Sequence, residues 1–210
     1  MIEFVISVLL WLLIFIPSSV IASFTIKDNP KKAALMMQLV MLFLSLTAME
    51  ILRSPKDFGF TWSTECLFQA FVLGFGSSFA LNLFGETSSR SMPGFLPEGA
   101  ERYFLLLFLA PLSEEALNRG LVEGYLLNYG HFWSAVIFSA VLFAFPHWRA
   151  LGNGIFKEKA GLVLSAFIIG ALAGYLFALS HSIVPAFALH SSANLAGLAV
   201  LNLRETSRYK

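Results

Sequence analysis

Long windows of the chain carry no formal charge, among them residues 4–26 and 160–203, which contain no Asp, Glu, Lys or Arg. A helix needs about 20 apolar residues to cross about 30 Å of hydrocarbon. The first window therefore fits one span. The second fits two, with Ser180-His181-Ser182 marking the turn between them at 161–179 and 183–203. Inside lipid each backbone polar group must be satisfied within its own segment, which selects helices. The same reading places further spans at about 33–52, 66–84, from Tyr103 onward, and 132–148. The polar stretch 85–102, with Ser88, Ser89, Ser91, Pro93 and Pro97, reads as a loop. The first window begins after Glu3 with no Lys or Arg before it, so it reads as a retained helix rather than a cleaved signal. The expected fold is all-α: a polytopic transmembrane bundle of about seven spans, with residues 1–210 forming a single transmembrane domain.

Composition excludes the alternatives. Of 210 residues 57% are hydrophobic and 13% charged, against about a quarter charged in a soluble domain. That density does not cover a water-soluble surface, and a net charge of +1 offers no field for a polyanion. Ordinary soluble domains, disordered chains and nucleic-acid-binding modules are excluded. The lone Cys66 forms neither a disulfide framework nor a multi-cysteine metal site. Of the 14 Lys and Arg, Arg119 falls inside span four, Arg53 and Lys56 fall on one side, and the rest fall on the other when the N-terminus is outside. The positive-inside rule then gives N-out, C-in. The expected localisation is a multi-pass integral membrane protein, of the inner membrane if the cell is prokaryotic, with membrane lipids around it. No solenoid or inverted repeat is evident. Gly120-x-x-x-Gly124 and Gly170-x-x-x-Gly174 are spacings that allow close helix approach.

Span four is unusual because Glu114, Glu115 and Arg119 lie inside it. A charge at the bilayer centre costs about 2.5–3.5 kcal/mol on insertion scales, so each of these groups needs a partner or a cavity. At about 100° per residue, Glu115 and Arg119 lie about 40° apart and pair, while Glu114 lies about 140° from Arg119 and points elsewhere. His147 follows Phe143 by four residues, and His190 precedes Asn194 by four on one helix face. A carboxylate, two imidazoles and an amide from spans four, five and seven suit activation of water and stabilisation of an oxyanion. Glu114, His147 and His190 are also a possible zinc set. Pro111, Pro146 and Pro185 each precede a motif residue. They are expected to kink the three helices and open a hydrated pocket among them.

The series Glu114-Glu115-x-x-x-Arg119, Phe143-x-x-x-His147, His190-x-x-x-Asn194 resembles the three-motif signature of the CPBP (Abi) intramembrane proteases, which include CAAX prenyl endopeptidases of the Rce1 type. The resemblance runs from about Pro111 to Asn194, within a core at 103–203. It implies an active site among spans four, five and seven. Glu114 and His147 would be catalytic and activate water, and His190 and Asn194 would stabilise the oxyanion. Glu115, Arg119 and Phe143 would support them. It implies a membrane-associated peptide or protein substrate and no required cofactor, although a zinc metalloprotease has also been described for the family. Neither a His-Glu-x-x-His nor a Gly-x-Ser-Gly motif occurs.

Two other classes fit parts of the pattern. A membrane binding or immunity protein would keep the pocket without cutting, although no motif position is lost here. A proton-coupled transporter also uses intramembrane Glu and His, but repeats are lacking. The sequence does not address oligomeric state.

Overall fold

The computed structural model describes residues 1–26, 29–84, 97, 99–150 and 154–208. It contains seven helices, α1 (Ile2–Ile26), α2 (Pro30–Leu52), α3 (Leu67–Phe84), α4 (99–127), α5 (Phe132–Ala144), α6 (Phe156–Ser180) and α7 (Ile183–Arg208), and no strand among the described residues. Each expected apolar segment is helical. Four of them, Ile2–Thr25, Lys31–Leu52, Phe156–Ser180 and Ile183–Leu203, are long and apolar enough to cross a membrane unbroken. α3 is apolar but shorter, and α4 and α5 are interrupted. Within the expected loop, 85–96 and 98 lie outside the described residues, as do the charges at Lys27, Arg90 and Lys210. α4 begins at Gly99, before Tyr103.

The outer helices present large apolar side chains outward, among them Leu9 and Leu13 on α1, Phe43 on α2, and Phe68 and Phe71 on α3. That is the inverse of a soluble surface and matches a lipid environment. Polar side chains inside the spans are closed locally. Ser18 donates to the Ile14 carbonyl at 2.7 Å and Ser45 to the Met41 carbonyl at 2.7 Å, the back-bonding that shields a hydroxyl in an apolar helix.

α4 is the centre of the bundle. On one side it meets a core of Trp11, Ile14, Met41, Met49 and Phe58 from α1, α2 and the 3-10 turn Pro55–Phe58. A second core joins α3, α6 and α7 through Ala70, Ile169, Phe177, Ala186 and Leu189. Both small-residue spacings are sites of close approach. A Cβ at Gly124 would stand 2.9 Å from the Phe58 carbonyl oxygen, and one at Gly120 would meet Met49.

α4 is not uniformly α-helical. Residues Leu105–Leu109 and Ala116–Glu123 are π-helical, a form often found at functional sites. Pro111 explains the first interruption. It has no N–H, so neither the α-type acceptor, the Leu107 carbonyl, nor the π-type acceptor, the Leu106 carbonyl, receives a bond from it. α7 fills both: Ser191 Oγ donates to Leu107 at 2.9 Å and Asn194 Nδ2 to Leu106 at 2.8 Å. Both carbonyls that Pro111 leaves free thus take part in helix-to-helix hydrogen bonds.

The other prolines divide. α5 stops at Ala144, two residues before Pro146, and resumes as the single turn His147–Ala150. Pro185 is the third residue of α7, where no N–H is needed. It lies in the first turn of a helix that runs without interruption. The expected turn at 180–182 is present, with His181 in the left-handed region at φ 48°.

Candidate active site

The second π-helical run decides how the charges stand. A π-turn holds more residues than an α-turn, so residues four apart lie more nearly in line. Glu115, Arg119 and Glu123 form one buried column. Arg119 Nε lies 3.0 Å from Glu115 Oε2 and 4.0 Å from Glu123 Oε2, with all three side chains at most 1% exposed. The Glu115–Arg119 pair expected from helical spacing is present. Arg119 reaches further: Nη2 donates to the Gly170 carbonyl at 2.6 Å, and its guanidinium carbon lies 4.7 Å from the Phe143 ring centroid. Ser139 Oγ of α5 donates to Glu123 Oε2 at 2.6 Å.

Gly170 and Gly174 make room for this column. A Cβ at Gly174 would stand 2.6 Å from Glu123 Oε2, and one at Gly170 would stand 3.0 Å from the Phe143 ring. Gly174→Ala therefore pushes on a carboxylate that Ser139 holds in place. The expected loss is about 1–3 kcal/mol, read as a lowered midpoint in detergent unfolding. A variant as stable as wild type would show that Glu123 is free to move.

Beside the column lie the motif residues. His190 Nδ1 is 2.8 Å from Glu115 Oε1. Glu115 is ion-paired with Arg119 and can only accept, so Nδ1 carries the proton and donates. His190 Nε2 then faces Glu114 Oε2 at 3.9 Å. Glu114 Oε1 accepts from Gln38 Nε2 of α2 at 3.1 Å. Glu114 thus turns away from Arg119, as its spacing requires, and 24% of its side chain is exposed, against 1% for Glu115.

His147 enters through Phe143. Its Nδ1 folds back to the Phe143 carbonyl at 3.0 Å, which makes Nδ1 the donor and leaves Nε2 with a lone pair. The Phe143 ring lies 5.1 Å from His147 and 5.3 Å edge-on from His190, and so spaces the two imidazoles. Glu114 and His190 are both close enough to act electrostatically on His147. Asn194 differs from the others. It shares a helix face with His190, but its amide nitrogen is tied to the Leu106 carbonyl.

Sequence reasoning missed Gln38, Glu123 and Ser139. Glu123 continues the four-residue spacing of Glu115 and Arg119 within the same apolar run, so its signal was present. Gln38 is a lone amide in an apolar span and gives no local sign of its partner. Glu114, His147 and His190 are not arranged as a metal-holding group, and no such group of three or more His, Cys, Asp or Glu side chains occurs among the described residues.

Residues 99–196 match the family model described as type II CAAX prenyl endopeptidase Rce1-like. The matched stretch contains every motif residue, and the resemblance to the CPBP and CAAX proteases is borne out over it. α1, α2 and α3 lie outside it. Comparison with curated proteins found no match, and comparison with solved structures found none. An Rce1-like segment within this set of apolar helices makes the chain an integral membrane protein, and the match supports a protease.

Proposed function

We propose that this chain, whose residues 99–196 are Rce1-like, is an intramembrane endopeptidase that hydrolyses peptide bonds of membrane-associated proteins or peptides by activated water. The observation that carries the reading is the 3.9 Å gap between Glu114 Oε2 and His190 Nε2. It is too long for a direct hydrogen bond and suits a bridging water, while each residue is held from its other side.

The donor pattern divides the two histidines. His147 has its Nδ1 proton on the Phe143 carbonyl, so its Nε2 is an acceptor suited, with Glu114, to taking a proton from water. His190 gives its Nδ1 proton to Glu115. Donating from Nε2 to an oxyanion requires a proton on both nitrogens, and the Glu115 carboxylate is the counter-charge for that imidazolium. Asn194 keeps one amide hydrogen beyond the bond to Leu106 and is the proposed second oxyanion donor. The reaction then needs water to add to the carbonyl carbon, its proton to pass to Glu114 or His147, and that proton to reach the leaving amine.

The test is cleavage of a library of membrane-associated peptides and proteins by purified protein in detergent, beside Glu114→Ala and His147→Ala. Each variant is expected to lose on the order of 10²–10⁴-fold in kcat with folding retained. Wild-type cleavage that survives Glu114→Ala would refute the mechanism. Loss in a chelator with recovery in zinc would replace it with a metal-assisted one.

A further inference from the structure

We infer that Gln38 is a positioning residue for Glu114, contributed to the site by a helix outside the Rce1-like segment; the inference rests on Glu114 being the residue that activates water. The Gln38 amide is used at both ends. Its Nε2 donates to Glu114 Oε1 at 3.1 Å, and its Oε1 accepts from the hydroxyl of Ser113, the residue before Glu114. The opposite amide orientation would set the Gln38 oxygen against a Glu114 oxygen, two acceptors with no proton between them. A carboxylate at 114 therefore fixes which way Gln38 faces.

The consequence is a division of labour between the two oxygens of Glu114. Oε1 is occupied by Gln38, and Oε2 is left on the side of His190 Nε2. Among the described residues, Gln38 and His190 are the hydrogen-bond and ion-pair partners of this carboxylate. The others near it hold neighbours: Asn118 Nδ2 bonds the Glu114 backbone carbonyl at 2.8 Å, and Trp11 Nε1 of α1 bonds Asn118 Oδ1 at 3.2 Å. α1 and α2 thus brace the turn carrying Glu114, and of these contacts the one from Gln38 reaches its carboxylate. Without that bond the carboxylate is free to rotate away from the gap. Misplacement of a reacting group by about 1 Å costs on the order of 10² in rate.

The experiment compares wild type with Gln38→Leu and Gln38→Met on one cleaved substrate, with unfolding midpoints measured in the same detergent. The expected result is a fall in kcat of about 10- to 100-fold, KM within about twofold and midpoints unchanged. Folded variants with wild-type kcat would overturn the inference. So would a joint change of kcat, KM and midpoint, the mark of a residue that only joins helices. A second readout separates this from the proposed function. The carboxylate stretch of Glu114, isolated as the infrared difference between wild type and Glu114→Gln, is expected to shift when Gln38→Met is introduced into both. If wild type cleaves nothing, the protease reading fails, and the infrared band decides the contact: a shift upholds it and an unmoved band overturns it.

Discussion

Arg119→Leu is expected to leave little folded protein in the membrane. Among the described residues the guanidinium is the one cation between Glu115 and Glu123, and the three side chains are sealed from solvent. Removing one partner of a buried ion pair costs about 3–5 kcal/mol, because the remaining charge stays buried without compensation. Here two carboxylates would remain, Glu115 with His190 and Glu123 with Ser139 as their hydrogen-bond partners. The same substitution removes the bond to the Gly170 carbonyl and the contact over Phe143, so α4 loses the ties to α5 and α6 that the guanidinium makes. Against a typical stability of about 5–15 kcal/mol, that is a large share.

The charge argument has a sharper consequence. If buried charge, and not lost packing, is the cause, deleting the carboxylates should restore folding. Arg119→Leu combined with Glu115→Gln and Glu123→Gln is expected to recover monodisperse protein with an unfolding midpoint above that of the single variant. The triple variant is expected to stay inactive, since His190 would lose its counter-charge. Arg119→Lys should fall between: it keeps a charge but lacks the planar fork that serves Glu115 and Gly170 together. A single Arg119→Leu variant as stable as wild type would refute the account. A triple variant no better than the single would assign the loss to packing.

Legibility in the sequence followed the range of the interaction. Helix positions were readable because lipid demands length and apolarity, both local properties. The edges were misread where they were drawn at charges: α6 starts at Phe156, ahead of Lys157, Glu158 and Lys159, since a helix end at the interface accommodates charged side chains. The Glu115–Arg119 pair was readable because spacing on one helix determines it. The partner of Glu115 across the bundle, His190, was not: Glu115 was expected to pair with Arg119 and to support the catalytic residues without a named contact. Asn194 was read with His190 because both share a face. The competing demand came from Pro111 on another helix, whose freed carbonyls claim both Ser191 and Asn194. Pro185 was misread because a proline's effect depends on its distance from the helix start. Gln38 and Glu114 lie 76 residues apart, and no periodicity connects them.

Glu115→Gln is expected to lower kcat by up to about 10³-fold while leaving a folded protein. The reason is a count of acceptors. Glu115 Oε1 accepts from His190 Nδ1 at 2.8 Å, and its Oε2 is ion-paired with Arg119 Nε at 3.0 Å. A glutamine accepts on one and donates on the other. If its oxygen faces Arg119, its nitrogen donates to His190 Nδ1, which then carries no proton, and the ring is neutral: Nε2 keeps its proton but donates without the positive charge. If its oxygen faces His190, its nitrogen opposes Arg119 Nε, and the imidazolium loses the adjacent negative charge. Both arrangements weaken the donor that His190 offers at Nε2. Loss of a whole oxyanion donor costs about 10²–10³ in kcat, which bounds the effect of weakening one. Arg119 still faces Glu123, so the column keeps one carboxylate and folding survives. Two readouts test this on the same sample: kcat on a cleaved substrate, and the nitrogen-15 spectrum of the His190 ring. A variant with wild-type kcat, or one with reduced kcat and an unaltered Nδ1–H signal, would show that Glu115 serves Arg119 alone and that His190 is oriented by something else.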